Sequence, residues 1–112
     1  MKIAFTTQGT TWDSLMEARL GRTDYLLIWD DVTHVLETFD NSKNQSDTCG
    51  AGPKMAKTLL DLKIDVVVTG NGPGENASLI LDKSPLKIYV GAIDMRAEEA
   101  YKAYQAGTLR LF

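Results

Sequence analysis

The segment Ile64-Asp65-Val66-Val67-Val68-Thr69 constrains what this chain can fold into more than any other. Its apolar residues follow one another without the alternation of a half-exposed strand. A strand of that composition is stable only with both faces covered, as in the centre of a parallel sheet with helices on either side. The flanks agree. Before it, Pro53 suits the first turn of a helix, where a missing N–H costs nothing. Met55, Ala56, Leu59, Leu60 and Leu62 then supply one apolar face, which predicts a helix over 53–62. After it, a short helix from about 75 to 83 ends before Pro85, and Lys87 to Val90 forms the next strand. Ala97, Ala100, Tyr101 and Tyr104 share one helical face and mark a last helix, with Asp94 as N-cap and Gly107 as stop. This order implies right-handed crossovers between parallel strands.

The first half reads differently. Lys2 to Thr7 is a strand stopped by Gln8-Gly9, Tyr25 to Trp29 a second, and Thr33 to Phe39, carrying His34, a third beyond a turn at Asp30-Asp31. Strands so closely spaced form an antiparallel meander. Asp40 to Gly52 has no apolar period and reads as a loop. The expectation is an α/β fold: a mixed sheet of about five strands, an antiparallel meander and then parallel β-α-β units, with helices covering the sheet. A chain of 112 residues is one domain's worth, so 1–112 is read as a single domain.

Several classes of function fall away. A net charge of −3 makes nucleic acid or an anionic membrane an unlikely general partner. The apolar runs are far shorter than the roughly 20 residues that cross a bilayer. The N-terminus lacks the apolar core of a signal peptide. A cytoplasmic monomer is the expectation. Cys49 and His34 are the only residues of their kinds. A disulfide framework and a zinc site of several thiolates are therefore excluded.

In open α/β sheets, ligands bind beyond the carboxyl ends of the strands. Thr7-Gln8-Gly9, Thr69 to Gly74 and Gly91-Ala92-Ile93-Asp94 should converge there. Glycines allow close backbone approach, and helix N-termini offer N–H groups, together a recipe for an anion cradle. Glycines after strands also serve as plain turn punctuation. Arg19-Leu20-Gly21-Arg22 offers two guanidiniums that could clamp an anion, or a solvated turn. Met16 and Met95 flank these loops as soft contacts or as core, and Trp12 either walls the site or anchors packing. Cys49 precedes a helix, whose dipole would favour its thiolate. Two enzymatic or nucleotide readings are weaker. Asp30-Asp31, the adjacent acidic pair a metal-dependent nuclease would need, lies in a turn. Gly70 to Gly74 resembles a phosphate loop in composition but lacks the Gly-Lys-Ser/Thr ending.

Met1 to Thr7, then Leu20-Gly21-Arg22-Thr23-Asp24-Tyr25-Leu26-Leu27-Ile28-Trp29-Asp30, resembles the opening of the nitrogenase iron–molybdenum-cofactor-binding accessory family. Val67 to Ala77 looks like that family's glycine-rich loop with a short insertion. Ile88-Tyr89-Val90-Gly91-Ala92 and Ala106-Gly107-Thr108-Leu109 also fit, so the likeness spans nearly the whole chain. Within the family the chain resembles the orange proteins of anaerobic bacteria. The resemblance implies a ribonuclease-H-like fold, no hydrolytic activity, and binding of a preformed cluster. That cluster would be a molybdenum–copper sulfide or, alternatively, iron–molybdenum cofactor or its precursor, with protein partners in a cofactor-handling assembly. The implied contacts are Gln8, Met16, Arg19, Leu20, Gly21, Arg22, Gly70, Asn71, Gly72, Gly74, Asn76, Ile93 and Met95, with Cys49 as a candidate thiolate and no firm side-chain metal ligand. Many members of the family carry His where this chain has Arg19, an exchange of coordination for charge.

Overall fold

The computed structural model describes residues 1–42, 51–72, 78 and 80–112. Strands β1 (Lys2–Thr7), β2 (Tyr25–Asp30) and β3 (Val35–Asp40) form the antiparallel meander. Helix α1 (Ala51–Asp61) leads to β4 (Val66–Val68), then follow β5 (Lys87–Val90), α2 (Ala97–Ala106) and β6 (Arg110–Leu111). The sheet order is β3-β2-β1-β4-β5-β6. β1, β4 and β5 run parallel, whereas β6 returns antiparallel along β5.

Alternation along each strand divides the core between two faces. Ala4, Leu26, Ile28, Val67, Ile88 and Val90 join Met55, Ala56 and Leu59 of α1. Ile3, Phe5, Leu27, Val66 and Val68 join Ala97 and Ala100 of α2. Successive residues of Val66-Val67-Val68 thus enter different clusters, and all three are buried. That is the physical content of an unbroken apolar run. β3 lies at the sheet edge and is mostly exposed.

Three local features differ from the sequence reading. The third strand starts at Val35, not Thr33, because the Asp30 carboxylate accepts the N–H groups of Val32 and Thr33 at 2.9 and 3.2 Å and fixes a turn. The same bonds hold that carboxyl below the ordinary aspartate value. His34 therefore sits in the turn at φ 58°, its ring stacked on Trp29 with centroids 5.6 Å apart. The N-cap of α2 is Arg96, not Asp94, which takes φ 58° in the preceding turn. A sixth strand, β6, follows Gly107, whose φ of 75° ends α2 and turns the chain back. Of the helix expected over 75–83, Ser78, Ile80 and Leu81 are helical and Asp82 N–H bonds the Ser78 carbonyl at 2.9 Å. The rest of its first two turns lies outside the described residues.

Candidate functional site

The carboxyl ends of β1, β4 and β5 point to one edge, and the loops beyond them are laced together by backbone. In the first loop the Ala18 carbonyl accepts the Asn71 N–H at 2.7 Å, and the Glu17 N–H donates to the Thr6 carbonyl of β1 at 2.8 Å. Arg19 forms a parallel bridge with Gly72. Gly91 and Ala92 donate to Gly70 and Thr69 carbonyls at 2.8 and 3.3 Å, and Met16 donates to the Met95 carbonyl at 2.9 Å. Residues 69–72 and 91–92 meet as expected, but the first loop reaches them through residues 16–19, whereas Gln8 bonds back to the Leu15 carbonyl and Thr7 bridges to Met16.

Buried polar groups set their spacing. The hydroxyls of Thr6 and Thr69 are 2.8 Å apart, and both reach the Glu17 carbonyl, at 2.8 and 3.5 Å. They pin the ends of β1 and β4 to the first loop. Buried Asn41, just past β3, donates its side-chain amide to the Thr23 carbonyl at 2.9 Å and the Gly21 carbonyl at 3.4 Å. It holds the arginine turn in place. Sequence reasoning passed over both devices, since a Thr at a strand end and an Asn opening a polar loop are ordinary residues there.

Lacing also consumes donors. Ala97 and Glu98, the first residues of α2, donate to the carbonyls of Ser14 and Trp12 at 2.8 and 3.0 Å. These N–H groups are spent on the first loop, and those of Asn71, Gly91 and Ala92 on neighbouring loops. The expectation that this helix start and these loop N–H groups would cradle an anion is corrected accordingly. Among the described residues of this edge, Arg19 and Arg22 carry positive charge. Arg19 is exposed, with 70% of its side-chain surface open, and its Nε lies 4.0 Å from a Glu17 carboxylate oxygen. Glu17, a competing anion beside the clamp, was absent from the sequence reading. Arg22 is half-buried.

The remaining candidates divide. Leu20, 1% exposed, belongs to the α1 core cluster, and Met16 is buried in the α2 cluster. Met95 packs partly against the latter. Gln8, Asn71 and Ile93 are exposed, the last at 49%, while Gly70 and Gly72 are buried and Gly21 is half-buried. Gly74, Asn76 and Cys49 lie outside the described residues. Trp12 does not wall this edge. It packs edge-on to Phe5 and Trp29 and stacks on Tyr101, over the α2 face.

Asp30, Asp31 and Asp65 lie at the opposite edge. Asp30 pairs in register with Lys2 at the start of β1, Asp31 binds the N-terminal ammonium at 2.8 Å, and Asp65 accepts the Lys2 N–H at 2.8 Å. Among the described residues no three His, Cys, Asp or Glu side chains gather to hold a metal ion. Exchanging Asp30→Asn together with Asp31→Asn should therefore leave ligand uptake at the loop edge unchanged, while loosening the turn. Titration of the folded variant checks this, and loss of uptake would place the site elsewhere.

A family model described as dinitrogenase iron-molybdenum cofactor matches residues 1–107. The chain belongs to this family. Among solved structures, the apo form of the orange protein from Desulfovibrio gigas is similar, with a TM-score of 0.91 at 26% identity, covering 99% of this chain and 92% of that one. A putative NifB protein from Thermotoga is similar with a TM-score of 0.82 at 25% identity, covering 98% and 91%. No curated protein matches. Membership in the dinitrogenase iron-molybdenum cofactor family accords with the mixed α/β sheet found here. Among the described residues, no helix is long and apolar enough to cross a membrane.

Proposed function

We propose that this chain binds and carries a preformed anionic metal–sulfide cluster, a molybdenum–copper sulfide, without catalysing a reaction. The observation that carries the reading is the junction of strand-end loops, with Arg19 bridged to Gly72 and Arg22 in the turn that follows, in a fold shared with an orange protein. The described residues offer no side-chain cage for a bare ion. A cargo that brings its own sulfide ligands needs only charge, shape and apolar contact. Arg19 and Arg22 would supply the charge, and exposed Ile93 with part-buried Met95 an apolar flank. The cluster is cargo held as a unit, so no bond is made or broken by the protein.

The family's description favours a second cargo, iron–molybdenum cofactor or its precursor. Arg19 weighs towards the sulfide cluster, because a guanidinium attracts an anion but does not ligate a metal. Apo-protein mixed with tetrathiomolybdate and a copper salt should acquire intense visible absorption that co-elutes with the polypeptide. Separation of the colour on desalting would reject the molybdenum–copper assignment. A rise in Tm with ATP, and no colour, would favour a nucleotide-binding module.

A further inference from the structure

Gly72 has a neighbour that the loop edge does not require. The ring of Phe112 lies so close that a β-carbon on Gly72 would fall 2.9 Å from Cδ2 and 3.0 Å from Cε2, with Val90 Cγ1 at 3.1 Å. The ring is delivered there by β6. Arg110 and Leu111 pair with Val90 and Tyr89, and the Phe112 N–H bonds the Ile88 carbonyl at 2.7 Å. Yet Phe112 is 56% exposed and stands outside both core clusters. A large apolar ring left half in water contributes less to the core than to whatever it covers. Here it covers Gly72, a residue at φ 93° whose own backbone bridges to Arg19. The family match ends at residue 107, before β6.

We infer that Phe112 is a positioning residue for Asn71 and Gly72: its ring, seated on Gly72, holds these two residues against the Arg19 segment and slows release of the cargo. Resting on the carrier reading above, this assigns β6 the task of keeping the two sides of the anion site in register. A side chain on Gly72 would be strained at its positive φ and would push the ring aside, so ring and glycine fit as a pair. Leu111 supplies an internal comparison, for it is 55% exposed on the same strand, while the three atoms nearest to a β-carbon on Gly72 belong to Phe112 and Val90.

The test uses the full chain and two readouts. Without cargo, amide exchange at Asn71, whose N–H bonds the Ala18 carbonyl, should quicken about tenfold in Phe112→Ala through local opening. Phe112→Leu should restore most of the protection, and Leu111→Ala should match the wild type. After loading with tetrathiomolybdate and copper, Phe112→Ala should lose its colour to a copper chelator about tenfold faster, following the same opening. Equal Asn71 exchange in Phe112→Ala and wild type, or equal quickening in Leu111→Ala, overturns the inference. Failure of the wild type to take up colour overturns the carrier reading and the release half with it. The exchange comparison then still decides whether Phe112 seats the loop.

Discussion

Arg19→Ala combined with Arg22→Ala should weaken binding of the proposed cluster by about 10–100-fold while the chain stays folded. Charge-assisted hydrogen bonds contribute roughly 1.5–3 kcal/mol each when partly desolvated, but the openness of Arg19 to solvent discounts its share. The N–H groups of Asn71, Gly91 and Ala92 are committed to other loops, so they do not replace the lost charge. Raising salt should weaken the wild-type complex and leave the double variant less affected, since screening acts on exposed charge. Glu17→Gln should act in the opposite direction, because it removes the anion that competes for Arg19. Cys49→Ser should leave affinity unchanged. Titrations at two ionic strengths, with circular dichroism to confirm folding, check these expectations. A cluster lost from Cys49→Ser but retained by the double arginine variant would make the site thiolate-ligated.

Much of the architecture was legible because burial leaves a mark on residue type. Val66-Val67-Val68 reads as doubly buried, and it is. The meander, the parallel strands and the left-handed stop at Gly107 follow from composition and spacing in the same way. The misses arose where side-chain or backbone bonding overrode local preference. Thr33 and His34 suit a strand, but the Asp30 carboxylate captures the N–H groups that would have continued it. β6 has two residues, too few for any period. At the site, the convergence of loops and the arginine turn were readable, whereas the fate of the loop N–H groups was not. Bonds such as Asn71 to Ala18 and Ala97 to Ser14 join backbone atoms and leave no trace in residue identity. Leu20 shows the same limit from the other side. Between Arg19 and Gly21 a leucine can face a ligand or the core, and tertiary packing sent it to the core.

Gly70→Ala lowers stability by about 2–3 kcal/mol, the upper range for forced overpacking, and with it removes cluster uptake. An alanine β-carbon at this position would lie 2.6 Å from Ala18 Cα, 3.1 Å from its Cβ and 3.3 Å from its carbonyl oxygen. The nearest of these atoms is backbone and cannot swing aside as a side-chain tip would. Either the first loop must retreat, or β4 must end differently. Retreat pulls the Ala18 carbonyl from the Asn71 N–H and displaces the Arg19–Gly72 bridge. It also drags on the Glu17 carbonyl that Thr6 and Thr69 share. The arginine turn and the glycine loop then lose their mutual register, so uptake should fail even in molecules that remain folded. Gly107→Ala provides the contrast, for it keeps a φ of 75° but meets nothing within 4 Å. Its cost should be only the left-handed strain, about 1 kcal/mol, with uptake intact. Thermal unfolding should show the difference as a Tm lowered by about 10 °C or more for Gly70→Ala and by roughly half of that for Gly107→Ala. Equal losses of Tm in the two variants, with uptake preserved in both, would mean that the close approach of Ala18 to Gly70 does not govern the site.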